Sequence, residues 1–174
     1  MLIAMAGLPA TGKSTIAARL AKELDGVVLG KDAVRAALFP PPILDYSTAQ
    51  DDIVMEAIFK VTSYALRASS QRVVIIDGRT FLRANQVRDL LILTSALTEK
   101  SVIIIECVCD DAVARNRLEQ DRTLQRHPAG NRDFDLYLEV KARAEPITIP
   151  HLVLDTGRLL LDDCLSRCLA YLRS

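Results

Sequence analysis

Leu2-Ile-Ala-Met-Ala-Gly7-Leu-Pro-Ala-Thr-Gly12-Lys13-Ser14-Thr15-Ile16 is the stretch on which the fold is decided. A short apolar run ends at a glycine, and from Lys13 the residues Ile16, Ala17, Leu20 and Leu24 recur at helical spacing, which predicts strand, glycine turn and helix. Between strand and helix, Gly7 to Ser14 fits G-x-x-x-x-G-K-[ST] in the context that pattern requires. Glycines let the backbone curl so that its N–H groups face a phosphate, and the helix N-terminus adds partial positive charge. Gly7, Ala10, Thr11, Gly12, Lys13, Ser14 and Thr15 are therefore expected to bind ATP, with Lys13 bridging the β and γ oxygens and the Ser14 hydroxyl ligating Mg²⁺. An ordinary glycine-rich turn is the competing reading, but chance seldom supplies both the motif and its strand-to-helix context.

Bulk properties narrow the classes. The chain has 174 residues, half of them hydrophobic, which suits one domain with a sizeable core spanning 1–174. Lys plus Arg and Asp plus Glu number 22 each, so no overall field recruits nucleic acid or an anionic membrane. The first apolar run has no basic leader and is broken by glycine, so a cytoplasmic, non-spanning protein is expected. Cys107, Cys109, Cys164 and Cys168 lie within apolar patterns, two along a strand and two a helical turn apart; they read as small core residues in preference to a disulfide or metal set.

Further along, Val27 to Leu29 predicts a second strand, and Asp32 opens a brief helix stopped by Pro40, Pro41 and Pro42, which form a surface loop. Ser47 with Gln50 resembles a capping box before a long helix that shows Val54, Ile58, Val61 and Ala65 on one face. Val73 to Ile76 and Val102 to Ile105 are continuous β-branched runs of the kind buried on both faces of a parallel sheet. Helices are expected around Val87 to Leu97, Ala112 to Arg122, Phe134 to Ala144 and Leu159 to Leu172, with a last strand at Leu152 to Leu154. Five strands alternating with helices predict a three-layer α/β/α sandwich around a five-stranded parallel sheet.

Asp77 closes its apolar run at the C-terminal edge of that sheet, where such sheets bind ligands, and is expected to hold Mg²⁺ through water, although a strand-ending aspartate also serves to cap a turn. Gly78 follows it in place of the glutamate that ATP-hydrolysing motors use to activate water, which favours transfer over hydrolysis. Neither a guanine-reading [NT]-K-x-D nor a transporter-type signature occurs.

In order along the chain stand the P-loop, Asp32-x-x-Arg35, Asp77, Arg117-x-x-x-x-Arg122 and Asp155-Thr156. This arrangement resembles the kinase-type P-loop superfamily that includes gluconate, shikimate, adenylylsulfate and chloramphenicol kinases, zeta toxins and polynucleotide 5′-kinases. The resemblance implies strand order 2-3-1-4-5 and a lid at about 117–132. It implies Asp32 as the proton acceptor for the incoming hydroxyl, and Arg35 and Arg79 on the acceptor. Arg117 and Arg122 divide adenine and phosphoryl contacts between them, and Asp155 and Thr156 form the adenine-side loop. Asp77-Gly78-Arg79 departs from the triple glycine of shikimate kinases, so that substrate is not supported. Asp32 equally suits a helix cap, Arg117 and Arg122 a solvated helix face, and Asp155 to Gly157 a plain turn.

The leading reading is an ATP-dependent kinase acting on a hydroxyl of a small molecule. A polynucleotide 5′-hydroxyl kinase is the alternative, and the neutral chain with no evident aromatic stacking platform disfavours it. A non-catalytic ATP-sensing module is the third; a pure sensor has no need of a candidate base at Asp32.

Overall fold

The structure, a computed structural model, describes residues 1–97, 101–124 and 133–173. Its elements in chain order are β1 (Leu2–Ala6), α1 (Lys13–Glu23), β2 (Val27–Gly30), α2 (Lys31–Leu38), a 3₁₀ turn (Pro41–Ile43), α3 (Thr48–Ala68), β3 (Val74–Asp77), α4 (Ala84–Ser95), β4 (Val102–Val108), α5 (Asp111–Thr123), α6 (Phe134–Ala142), β5 (Leu152–Asp155) and α7 (Leu161–Arg173). The strands form one sheet in the order β2-β3-β1-β4-β5, with every pairing parallel. Both the α/β class and the order 2-3-1-4-5 are as expected.

Burial explains why β1 lacks the alternation of a one-sided strand. All five of its residues are fully buried, because helices cover both faces. Leu2, Ala4 and Ala6 pack with Val54, Ile58 and Leu90 of α3 and α4. Ile3 and Met5 face the opposite layer, with Ile16 and Leu20 of α1 and Leu165 of α7. Each fully buried aliphatic side chain of this size stabilises the fold by about 1.5–3 kcal/mol. Cys107, Cys164 and Cys168 belong to the second layer as free thiols. Burial pushes the Cys107 thiol up to about 12, with Lys13 opposing, so it stays protonated and packs as a small apolar group.

The capping-box expectation is met on one side. Ser47 Oγ accepts from Gln50 N at 3.2 Å, but the Gln50 amide reaches past the cap, donating to Ile43 O at 2.6 Å and accepting from Asp45 N at 3.2 Å. Gln50 thus clamps the turn that follows the prolines and fixes the approach to Tyr46.

Parallel pairing has one consequence for function: all five strands end on the same edge. Register places Gly30 beside Asp77 and Ala6 beside Glu106. The residues following β1, β2, β3 and β5 are thereby gathered along one rim, as ligand sites of open α/β sheets require.

Candidate active site

Along that rim lies a cleft of about 920 Å³, lined by the P-loop, the starts of α2, α3 and α4, one side of α6, and the turn between β5 and α7. Its volume is at the upper end of the range for ligand pockets, about 300–1,000 Å³, which leaves space for a nucleotide and a second, small ligand.

The P-loop is bent as the glycines foretold. Gly7 has φ of 128° and Gly12 of 85°. A Cβ on Gly7 would sit 2.2 Å from Cys107 O, so no other residue fits there. The Gly7 amide donates to Thr80 O at 2.9 Å, tying the loop to the segment after β3. Lys13 is mostly buried, its Nζ folded onto Leu8 O at 2.6 Å. Ser14 and Thr15 are exposed toward the cleft.

Asp77 is 6% exposed and its Oδ1 has no hydrogen-bond partner among the described residues. A buried carboxylate oxygen without a donor is costly. Its next residue, Gly78, lines the cleft that Ser14 faces, so the donor set of one hydroxyl and one carboxylate fits a Mg²⁺ that retains several waters. Gly78 also has a steric reason to be glycine. Its φ is 100°, and a Cβ would lie 2.7 Å from Lys31 Cβ. Gly78→Ala is expected to destabilise the fold by about 1–3 kcal/mol, the scale of one strained backbone residue, read as a lowered melting temperature.

Asp32 is the second residue of α2, whose N-cap is Gly30, and no side chain caps that helix. The Asp32 carboxylate, in the first turn of α2, accepts from Arg35 Nη1 at 3.1 Å. Arg35 is 4% exposed, also pairs with Asp51, and lies with Cζ 5.2 Å from the centre of the Tyr46 ring. Tyr46 itself has φ of 54°, a conformation costly for a bulky residue. Asp51 further accepts from Lys31 Nζ at 2.9 Å. Arg35 is thus buried between two carboxylates at the wall of the cleft, orienting Asp32. Arg79 lies on the same wall, 3.6 Å from Asp52.

From the sequence, the acceptor pocket is expected to be formed by Asp32 to Leu44, Arg79 to Arg83 and the lid. In the structure residues 36–45 do not line the cleft, because the chain leaves it through the end of α2 and the prolines; Tyr46, Thr48, Asp51 and Asp52, at the start of α3, take that place. Phe81 also turns away, with φ of 50° and full burial against α3 and α4. Arg83, within the expected 79–83 stretch, lines the cleft, and so does Arg143, which went unnoticed in the sequence; a lone arginine in a helical pattern carries no spacing signal.

On the opposite side, Arg117 Nη1 donates to Ala10 O at 3.2 Å and Thr156 Oγ1 at 3.0 Å, and its Nη2 donates to Thr156 O at 2.7 Å. Asp155 Oδ1 accepts from the amides of Gly157 and Arg158 at 3.0 and 3.2 Å, so its carboxylate makes the turn and Thr156 is the member that faces the cleft. Leu159, Leu160 and Leu161 continue this rim as an apolar wall. Arg122 stands exposed in the last turn of α5, apart from the residues lining the cleft. Residues 125–132, half of the expected lid, lie outside the described residues. Helix α6 beyond them is anchored to α5: Asp111 accepts from Lys141 at 2.6 Å and from Tyr137 Oη at 2.7 Å, and these donors, Lys141 foremost, hold the Asp111 carboxyl below its ordinary range.

A family model described as an AAA domain matches residues 2–146, most of the chain. The chain belongs to this AAA domain family. Among solved structures, a protein from Chloroflexus aurantiacus superposes with a TM-score of 0.72 at 23% identity, covering 97% of this chain and 96% of that one. Kti12 of Chaetomium thermophilum, solved with ADP-AlF3, gives 0.71 at 14% identity with 98% of each chain covered. The APS kinase of Mycobacterium tuberculosis, solved with AMPPNP and APS, gives 0.69 at 17% identity over 99% of this chain and 97% of that one. No curated protein sequence matches. At these identities the likeness shows the fold, that of the kinase-like P-loop superfamily. The AAA domain match ends before Asp155 and Thr156, so the turn that faces the P-loop belongs to the part seen only in the structural likeness. Among the described residues no helix is long and apolar enough to cross a membrane.

Proposed function

We propose that this protein is an ATP-dependent phosphotransferase that moves the γ-phosphoryl group onto a hydroxyl of a small acceptor. One observation carries the reading: the Asp32 carboxylate shares a single cleft with the P-loop and is held there by Arg35. A hydroxyl is a poor nucleophile at neutral pH, and a carboxylate positioned to take its proton contributes about 10² to 10⁴ in rate. Lys13 supplies a cation where charge develops on the phosphoryl oxygens, and the loop amides hold the β-phosphate. Mg²⁺, when bound at Ser14 and Asp77, neutralises phosphate charge and helps to align the transferring group. Adenine suits the apolar rim of Leu159 to Leu161, and the Asp155 carboxylate, already engaged by two amides, is not free to read guanine. Structural neighbours solved with ADP-AlF3 and AMPPNP support the reading that this fold takes a nucleotide.

Acceptor-dependent ADP release, screened over sugars, sugar acids, nucleosides, aminoglycoside and chloramphenicol-type antibiotics and 5′-hydroxyl oligonucleotides, tests the proposal. Release with one small-molecule class is the expected result. Turnover confined to the oligonucleotide would instead make the protein a polynucleotide kinase, and tight ATP binding without release across the panel would make it a sensor.

A further inference from the structure

We infer that Arg117 and Thr156 act on the nucleotide at one remove, as a positioning pair that sets the direction of the P-loop amides. The inference rests on the P-loop being the nucleotide site and requires nothing of the acceptor. The turn between β1 and α1 holds three residues at positive φ, Gly7, Ala10 at 61° and Gly12. Ala10 carries a Cβ that resists this conformation, so contacts from outside the turn are needed to favour it.

Four carbonyl oxygens of the turn have identifiable donors. Leu8 O accepts from Thr11 Oγ1 at 2.8 Å and from Lys13 Nζ at 2.6 Å, and Gly12 O accepts from Ile16 N at 3.2 Å. Those donors belong to the loop and its helix. Ala10 O and Thr11 O depend instead on residues 107 and 145 positions away, Arg117 Nη1 and Thr156 Oγ1. A trans peptide is planar, so the C=O of one residue and the N–H of the next point in opposite directions. Anchoring Ala10 O on α5 and Thr11 O on the turn after β5 therefore aims the Thr11 and Gly12 amides away from those anchors. A β-phosphate needs amides so aimed. Leu8 is followed by proline, which has no N–H, so holding its oxygen directs no amide.

The Thr156 hydroxyl is suited to this because it donates and accepts at once. It has one hydrogen; the 2.8 Å contact to Thr11 O is shorter than the 3.3 Å contact to Val108 O, and its lone pair accepts from Arg117 Nη1 at 3.0 Å. Its own backbone is fixed, since Thr156 N donates to Val108 O at 2.9 Å and Thr156 O accepts from Arg117 Nη2 at 2.7 Å. The guanidinium fork thus spans the P-loop and the turn together, which a single ammonium cannot do. Arg117 lies on the helix that leads toward residues 125–132, so α5, the P-loop and the β5–α7 turn are joined at one point.

Three variants test this. Thr156→Val keeps the side-chain shape without the hydroxyl, Thr156→Ser keeps the hydroxyl, and Arg117→Lys keeps the charge without the fork. Each is measured by calorimetry with Mg·ADP, by thermal unfolding, and by backbone ¹⁵N relaxation at Thr11 and Gly12 in the nucleotide-free protein. Thr156→Val is expected to bind ADP about tenfold more weakly, the scale of one lost hydrogen bond, and to show microsecond-to-millisecond exchange at Thr11 and Gly12 that the unaltered protein lacks. Thr156→Ser is expected to recover both, and Arg117→Lys to behave like Thr156→Val. A merely structural role would lower the melting temperature and leave affinity and relaxation unchanged, which overturns the inference. Failure of the unaltered protein to bind ADP removes the nucleotide reading alone, because the relaxation measurement needs no ligand and still decides the positioning role. Should Thr156→Val not fold, Arg117→Lys carries the same test, and quiet amides in it overturn the inference.

Discussion

Lys13→Ala is expected to lower phosphoryl transfer by about three orders of magnitude or more, the scale of a cation that stabilises the transferring phosphoryl. The Lys13 ammonium is 2.6 Å from Leu8 O, within the loop that is to hold the phosphates. A β-phosphate would offer it a full negative charge in place of a neutral carbonyl, a stronger, charge-assisted partner. The substitution also leaves Leu8 O with a second donor, Thr11 Oγ1 at 2.8 Å, so that carbonyl is not orphaned and the fold should persist. The measurement pairs acceptor-dependent ADP release with a thermal melt by circular dichroism. A variant that melts like the parent and transfers at the parent rate would move the chemistry away from this loop.

Asp32→Asn is expected to reduce turnover by about 10² to 10⁴, the ordinary contribution of a general base, with ATP affinity nearly unchanged. The asparagine is almost isosteric and its amide oxygen can still accept from Arg35 Nη1, the bond made at 3.1 Å by the carboxylate. Geometry is thereby kept while the proton-accepting power is lost, which separates chemistry from positioning. Turnover and ATP binding measured on the same preparation decide it. A loss smaller than about tenfold would leave Asp32 as part of the salt-bridge frame formed with Arg35 and Asp51, since general-base catalysis contributes more than that. Comparison with Asp51→Asn sharpens the distinction: Asp51 carries Lys31 and Arg35 and stands one step further from the reacting hydroxyl in the proposed mechanism.

By itself the sequence determined the fold class, because every signal it needed is local. Leu2 to Ala6, Val73 to Ile76 and Val102 to Ile105 are apolar without interruption, and only a strand covered on both faces tolerates that. The glycines and Lys13-Ser14 of the first turn are likewise set by backbone conformation and charge at fixed spacing, so the phosphate loop was legible, and so was Asp77 as a strand-ending carboxylate. Cap details were half legible: Ser47 answers to Gln50 N as its spacing suggests, but the reach of the Gln50 side chain to Ile43 and Asp45 depends on how the proline turn packs. What only the tertiary structure decided are the partners of the charged side chains. Arg35 reads as a substrate ligand in sequence, yet is buried between Asp32 and Asp51; Arg117 reads as a nucleotide contact, yet spends its fork on Ala10 and Thr156. A long charged side chain has several reachable partners, and which one it takes depends on burial and on segments far apart in the chain, brought together only when the parallel sheet gathers its strand ends along one rim.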